Sequence, residues 1–212
     1  MANKKQIKTP NEGQTDCLRH VKRDYDLDDL NAAEMTLKRG GIILYPTDTV
    51  WGLGCDARQD EAVKHLFEIK KRADAKAMLC LIDSAARITR FVKEMPSMAW
   101  DLIELTTKPL TIIYPDARNL ASSLIAEDGS IGIRVTSDPF CQKLCERLNA
   151  PIVSTSANIA GQPTPRFFSE IDEQIIGSAD YVVKYRQDDN TPHKPSSIIK
   201  LEITNEVKII RD

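Results

Sequence analysis

Short β-branched runs alternate with amphipathic stretches along most of this chain, and that alternation limits its fold more than any other feature. The runs "IILY" (42–45), "AMLCLI" (77–82), "PLTIIY" (109–114), "IGIRV" (131–135) and "PIVS" (151–154) have strand length. Between them Leu30, Ala33 and Leu37 fall at i, i+3, i+7 before Gly40, a helix-closing residue, and Val63, Leu66, Phe67 and Lys70 fall at i, i+3, i+4, i+7. "SAARITRFV" and "SMAWDLIELT" predict two more helices, and "SDPFCQKLCERLN" offers Ser137 or Asp138 as an N-cap with Pro139 in the first turn. This order predicts an α/β fold. Runs near "YVVK", "SSIIKL" and "EVKII" make the C-terminal end strand-rich, so the sheet is expected to be mixed parallel and antiparallel. Residues 27–212 read as one domain and residues 1–26, polar and without period, as a loosely docked tail.

Composition removes several classes of function. Lys and Arg number 29 against 31 acids, a net charge of −2, so any basic site must be local. No apolar run approaches the roughly 20 residues that span a bilayer. The N-terminal "MANKKQIKTPNEGQ" lacks the apolar core of a signal peptide, so a cytoplasmic protein without membrane contact is expected. The five cysteines, Cys17, Cys55, Cys80, Cys141 and Cys145, contain no C-x-x-C pair and read as reduced, packed thiols. Cys141 and Cys145, four apart on a helix, could meet a metal together, but no histidine lies near them in sequence.

Phosphate-binding loops of the G-x-x-x-x-G-K-[ST] and G-x-G-x-x-G types are absent from the sequence, as are G-x-S-x-G and H-E-x-x-H; His20, His65 and His193 are scattered. Four polar clusters remain, placed just past or within elements where open α/β sheets keep ligand crevices. In "YPTDTVWGLG" Pro46 ends a strand, Thr47 and Thr49 carry hydroxyls, and Gly52 and Gly54 would let backbone amides approach a ligand. The same residues also suit an ordinary turn held by Asp48 and the threonines. "KKRADAK" gathers Lys70, Lys71, Arg72 and Lys76 at a helix end, either as a solvated terminus or as a polyphosphate clamp. "STSAN" follows a strand, and Arg134 sits inside an apolar one, where it must reach solvent or an anion.

As an ordered set these motifs resemble the YrdC family of L-threonylcarbamoyladenylate synthases over nearly the whole chain from about residue 27 to Arg211. The matching elements are "YPTDTVWGLG", K-x-R as Lys70 and Arg72 with Lys76 beyond, "PLT", "IGIRV", S-x-N as Ser156 and Asn158 within "STSANIAGQP", and "PSSIIK". The resemblance implies a twisted mixed sheet flanked by helices around a concave basic cleft. It implies condensation of L-threonine, bicarbonate and ATP, with Mg²⁺ accompanying ATP, to threonylcarbamoyl-AMP and pyrophosphate. This nucleotidyltransferase product would pass to downstream tRNA threonylcarbamoyl-transfer proteins; binding of tRNA or double-stranded RNA is implied as well. Position by position, Thr49, Ser156 and Ser196 would hold threonine, and Arg134 its carboxylate or the nascent carbamate. Lys70, Arg72 and Lys76 would face the ATP phosphates, and Ser130, Asn158, Arg166 and Arg211 the nucleotide; Lys70, Arg72 and Arg134 would be catalytic. No protein-borne metal is implied.

Leu81 stands where many members carry a threonine-contacting histidine, and Ala73, Thr107, Lys108 and Thr136 depart at backbone-shaping positions. The YciO-like branch shares the "KP-S/T-S/T" ending seen at Lys194 to Ser197 but lacks an intact K-x-R and S-x-N pair, both of which are kept here. The alternatives are an RNA-binding or ribosome-associated module without catalysis, whose binding would fall steeply with salt, and an ATP hydrolase indifferent to threonine.

Overall fold

In the computed structural model, which describes residues 25–71 and 78–212, one sheet carries nine strands. In chain order these are β1 (Ile43–Tyr45), β2 (Gly52–Gly54), β3 (Leu79–Ile82), β4 (Leu110–Tyr114), β5 (Ile131–Val135), β6 (Ile152–Ser156), β7 (Tyr181–Val182), β8 (Ser197–Leu201) and β9 (Val207–Arg211). Across the sheet they run β7-β1-β2-β6-β3-β5-β4-β8-β9. The β1/β7, β3/β5 and β4/β8 pairs are parallel and the others antiparallel, the mixed sheet that the strand-rich C-terminal end predicts.

Six α-helices are found among the described residues: α1 (Leu27–Lys38), α2 (Asp60–Ile69), α3 (Ala85–Ile88), α4 (Ser97–Leu105), α5 (Pro139–Leu148) and α6 (Glu173–Gly177). Local chemistry sets their ends. The Asp26 carboxylate accepts from the Asp28 amide to start α1, and Gly40, at φ 82°, follows its last turn. The Asp138 carboxylate accepts from the Cys141 amide to start α5, with Pro139 in first place, and left-handed Asn149 closes it. The "SAARITRFV" stretch yields only the single turn α3, because Val92 is taken into a bridge with Ala117. Of the expected tail, residues 1–24 lie outside the described residues. Tyr25 packs edge-on against Phe140 and Tyr185, so folding begins slightly before residue 27.

Period-two alternation sorts the strands onto two cores. Leu44, Leu53, Cys80, Ile82, Ile112, Ile133 and Val153 face one way, packing with Val63 and Leu66 of α2 and Ala99 of α4. Ile43, Tyr45, Leu81 and Ile152 face the other, under Leu30, Ala33 and Leu37 of α1 and Phe140, Leu144 and Leu148 of α5. The helices on this second face cover only the β1, β3 and β6 side of it. On β5, β4 and β8 the residues of the same face, Gly132, Arg134, Thr111, Ile113, Ile198 and Lys200, line a cavity instead.

"WGLG" is not a loop that opens amides to a ligand: Gly52–Gly54 is a strand paired on both sides, to β1 and β6. A Cβ on Gly54 would stand 2.4 Å from the Val153 carbonyl oxygen and 2.7 Å from the Tyr45 ring, so glycine here makes room for Tyr45. Of Gly52 and Gly54, Gly52 alone borders the cavity.

None of the helices among the described residues is long and apolar enough to cross a membrane. Cys55, Cys80, Cys141 and Cys145 are free, buried thiols, and Cys17 lies outside the described residues. The Cys141 and Cys145 thiols donate to the carbonyl oxygens of Pro46 and Leu81, and burial pushes all four thiols up. These four cysteines are therefore expected to resist a maleimide or disulfide reagent in the native protein and to react fast after denaturation, read residue by residue by peptide mass spectrometry. Rapid native labelling of any of the four would contradict this packing.

Candidate active site

The cavity has a volume of about 890 Å³, in the range of small-molecule sites. Arg134, Lys200, Lys208 and Arg211 on its walls outnumber one acid, Asp128, so the basic character that the whole chain lacks is concentrated here.

At one end the chain leaves β1, turns at Pro46 and returns as β2. The Thr47 hydroxyl donates to the Val50 carbonyl at 2.8 Å, accepts from the Thr49 amide at 3.0 Å and lies 3.0 Å from the Thr49 hydroxyl. Arg134 reaches this turn from β5: its Nη2 donates to Asp48 Oδ1 and to Thr49 Oγ1, both at 3.0 Å, and both ion-pair side chains are at most 5% exposed. The second Asp48 oxygen accepts from the Ser137 amide at 3.3 Å. Arg134 Nε is buried and has no hydrogen-bond partner. An unpaired donor on a buried guanidinium carries a desolvation penalty.

Lys70 of K-x-R meets the S-x-N turn, far from it in sequence. Lys70, the C-cap of α2, is fully buried, and its ammonium donates to the Ser156 carbonyl at 2.5 Å, the Asn158 carbonyl, and Asn158 Oδ1 at 3.2 Å. The Ser156 hydroxyl donates to Asn158 Oδ1 at 2.5 Å, and Asn158 Nδ2 donates to the Gln162 carbonyl at 2.7 Å. Ser156 and Asn158 line the cavity; Lys70 stands behind that wall. This corrects both readings of the helix end at Lys70: its amine is neither solvated nor on the cavity surface, but clamps the turn after β6. Arg72 and Lys76 lie outside the described residues.

Along the opposite wall the Ser130 hydroxyl donates to Asp128 at 2.6 Å and Lys200 pairs with the same carboxylate at 3.0 Å. The Ser130 hydroxyl, Lys200 and the Ser130 amide hold Asp128 down to about 2. The Ser196 and Thr111 hydroxyls are 2.8 Å apart, and Arg211 donates twice to the Ser196 carbonyl, at 3.0 and 2.6 Å. Desolvation and then the charge of Arg134 push the Arg211 guanidinium down, as expected for two cations sharing one concavity.

The cavity thus gathers Thr49, Ser130, Arg134, Ser156, Asn158, Ser196 and Arg211. Arg166 is a correction: its side chain is 66% exposed, pairs with Glu170 four residues on at 2.5 Å, and is not on the wall. Leu81, opposite Arg134 in register, is likewise not on the wall; it is packed in the core under α5. Sequence reasoning missed Thr111, Lys200 and Lys208 as wall residues, although their shared alternation with Ile113, Ile198 and Ile210 in "PLTIIY", "SSIIK" and "EVKII" carries the signal.

A family model described as Sua5_yciO_yrdC, Telomere recombination, matches residues 35–212. The threonylcarbamoyl-AMP synthase of Xanthomonas euvesicatoria pv. vesicatoria is 36% identical over 158 residues, spanning 73% of this chain and 84% of that protein. The structure of P. abyssi Sua5 complexed with L-threonine superposes with a TM-score of 0.72 at 26% identity, over 81% of this chain and 50% of that one, so this chain spans about half its length. E. coli YciO shares the fold with a TM-score of 0.75 at 24% identity, over 86% of this chain and 88% of that one. With S-x-N on its cavity wall, Lys70 of K-x-R behind that wall, and its match reaching from residue 35 to the last residue, the chain belongs to the Sua5/YciO/YrdC family.

Proposed function

We propose that this protein is a threonylcarbamoyl-AMP synthase, a nucleotidyltransferase condensing L-threonine, bicarbonate and ATP with release of pyrophosphate. The observation that carries the reading is Arg134, a guanidinium that borders a cation-rich cavity and donates to the Thr49 hydroxyl on its wall. Such a group suits a carboxylate or carbamate, and Thr49, Ser156 and Ser196 offer hydroxyls for the amino acid. The threonine amine attacks the carbon of bicarbonate and water leaves, giving a carbamate whose oxygen attacks the α-phosphorus while the bond to pyrophosphate breaks. Three anionic reactants repel one another, so the main demand on the protein is positive charge and positioning. Arg134, Arg211, Lys200 and Lys208 supply the charge on the walls, with Arg72 and Lys76 assigned to the phosphates by the family motif.

Magnesium is assigned to the nucleotide as part of the substrate. Among the described residues the walls carry one carboxylate, Asp128, already engaged by Ser130 and Lys200, and no cluster of three metal-ligating side chains occurs. The adenylate product is a mixed anhydride that a tRNA-modifying acceptor enzyme would consume, and a cytoplasmic reaction is part of this reading.

Purified protein with ATP, magnesium and bicarbonate is expected to release pyrophosphate only when L-threonine is added; release indifferent to threonine would support a plain ATP hydrolase, and none at all the RNA-binding reading. Arg134→Lys keeps the charge but loses the planar fork, so the threonine KM should rise about tenfold or more, read by steady-state pyrophosphate release. Lys70→Ala should abolish activity and also lower unfolding stability by about 2–3 kcal/mol, since it strips a buried amine from three acceptors; urea titration measures this. Arg72→Ala should lower activity with the fold intact.

A further inference from the structure

The turn that carries Thr49 is gripped from two sides, and only the inner grip, Arg134, belongs to the cavity. The outer one is Arg186, in the segment between β7 and β8. Its Nη1 donates to the Thr47 carbonyl at 3.0 Å and to Asp138 Oδ2 at 3.2 Å. Its Nε and Nη2 both donate to Asp189 Oδ2, at 2.9 and 2.7 Å, and Nη2 also donates to His193 Nε2 at 2.7 Å. Arg186 therefore joins the Thr47 turn, the N-cap of α5 and its own segment, which runs on to Ser196 on the cavity wall. It does so from a left-handed backbone at φ 60°, which glycine would adopt more readily, so the side chain must be worth the strain.

We infer that Arg186 is a positioning residue for amino-acid binding: by holding the Thr47 carbonyl it fixes the turn through which Thr49 and Asp48 orient Arg134. The relay is continuous: Arg186 donates to the Thr47 carbonyl, the Thr49 amide donates to the Thr47 hydroxyl, and Arg134 donates to Thr49 and Asp48. Arg186 does not border the main cavity and touches no reacting atom; neither Asp189 nor His193 borders it. This inference rests on the synthase reading for its kinetic consequence, but its structural consequence stands apart from activity.

Arg186→Gln and Arg186→Lys test it by two readouts. In pyrophosphate release, Arg186→Gln should raise the threonine KM about tenfold while the ATP KM stays within about twofold, and Arg186→Lys, which retains a donor for the Thr47 carbonyl, should recover part of the loss. In amide hydrogen exchange, the Thr49 amide should exchange about tenfold faster in Arg186→Gln, with the strands of the sheet centre unchanged. Unchanged Thr49 exchange in a folded variant, or equal rises in both KM values, would overturn the inference. If the wild type shows no threonine-dependent release, the synthase reading falls, and the exchange result alone decides the role of Arg186. Should Arg186→Gln fail to fold, the same exchange comparison on Arg186→Met, which keeps an aliphatic stem but has no donor for the Thr47 carbonyl, decides it, with loss of Thr49 protection supporting and full protection opposing.

Discussion

A guanidinium projecting from the middle of a β-sheet must find a counter-charge, and Arg134 finds Asp48 at 3.0 Å with both side chains nearly sealed from water. Breaking such a buried pair from one side costs about 3–5 kcal/mol, because the remaining charge is left stranded. The pairing dictates much of what surrounds it. The chain must leave β1 at Pro46 and fold back at once so that Asp48 arrives over β5, and the start of α5 must lie close enough for the Ser137 amide to take the second carboxylate oxygen. One electrostatic requirement thus sets the path of the turn, the entry of a helix and one end of the cavity.

The cavity itself comes from incomplete coverage. α1 and α5 close the second face over β1, β3 and β6, where inward residues are large and apolar, such as Tyr45, Leu81 and Ile152. Over β5, β4 and β8 the same face carries glycine, threonine, arginine and lysine, which no helix could bury without leaving polar groups unpaired. The switch in residue chemistry along one sheet face is what divides structure from site.

That switch was partly legible in the sequence. Strand "IGIRV" occupies Ile131–Val135, the residues its alternation marks, and the Asp138–Pro139 start of α5 is where capping chemistry puts it. β2 escaped notice because "GLG" has no β-branched residue, and only its tertiary packing, against the Val153 carbonyl and Tyr45 at Gly54 and against Ser154 and Thr155 at Gly52, explains the glycines. Lys70 read as a helix-end charge because nothing local shows that the turn after β6, 86 residues on, offers it carbonyl oxygens. Arg166 failed for the opposite reason: Glu170, one helical turn away in sequence, captures it locally. Local pattern reports which elements form; which charges meet depends on tertiary pairings that pattern does not encode.

One wall of the cavity is β9, the last strand of the sheet, laddered to β8 alone, with a register shift near Ile198 and all five residues exposed. Releasing it would uncover little new apolar surface, so its opening costs far less than that of any central strand. Arg211 leaves with it, taking a positive charge from the site while both cores stay intact. The positive charge that Arg211 brings to the cavity thus hangs on a single edge ladder, whereas Arg134 is held by the centre of the sheet.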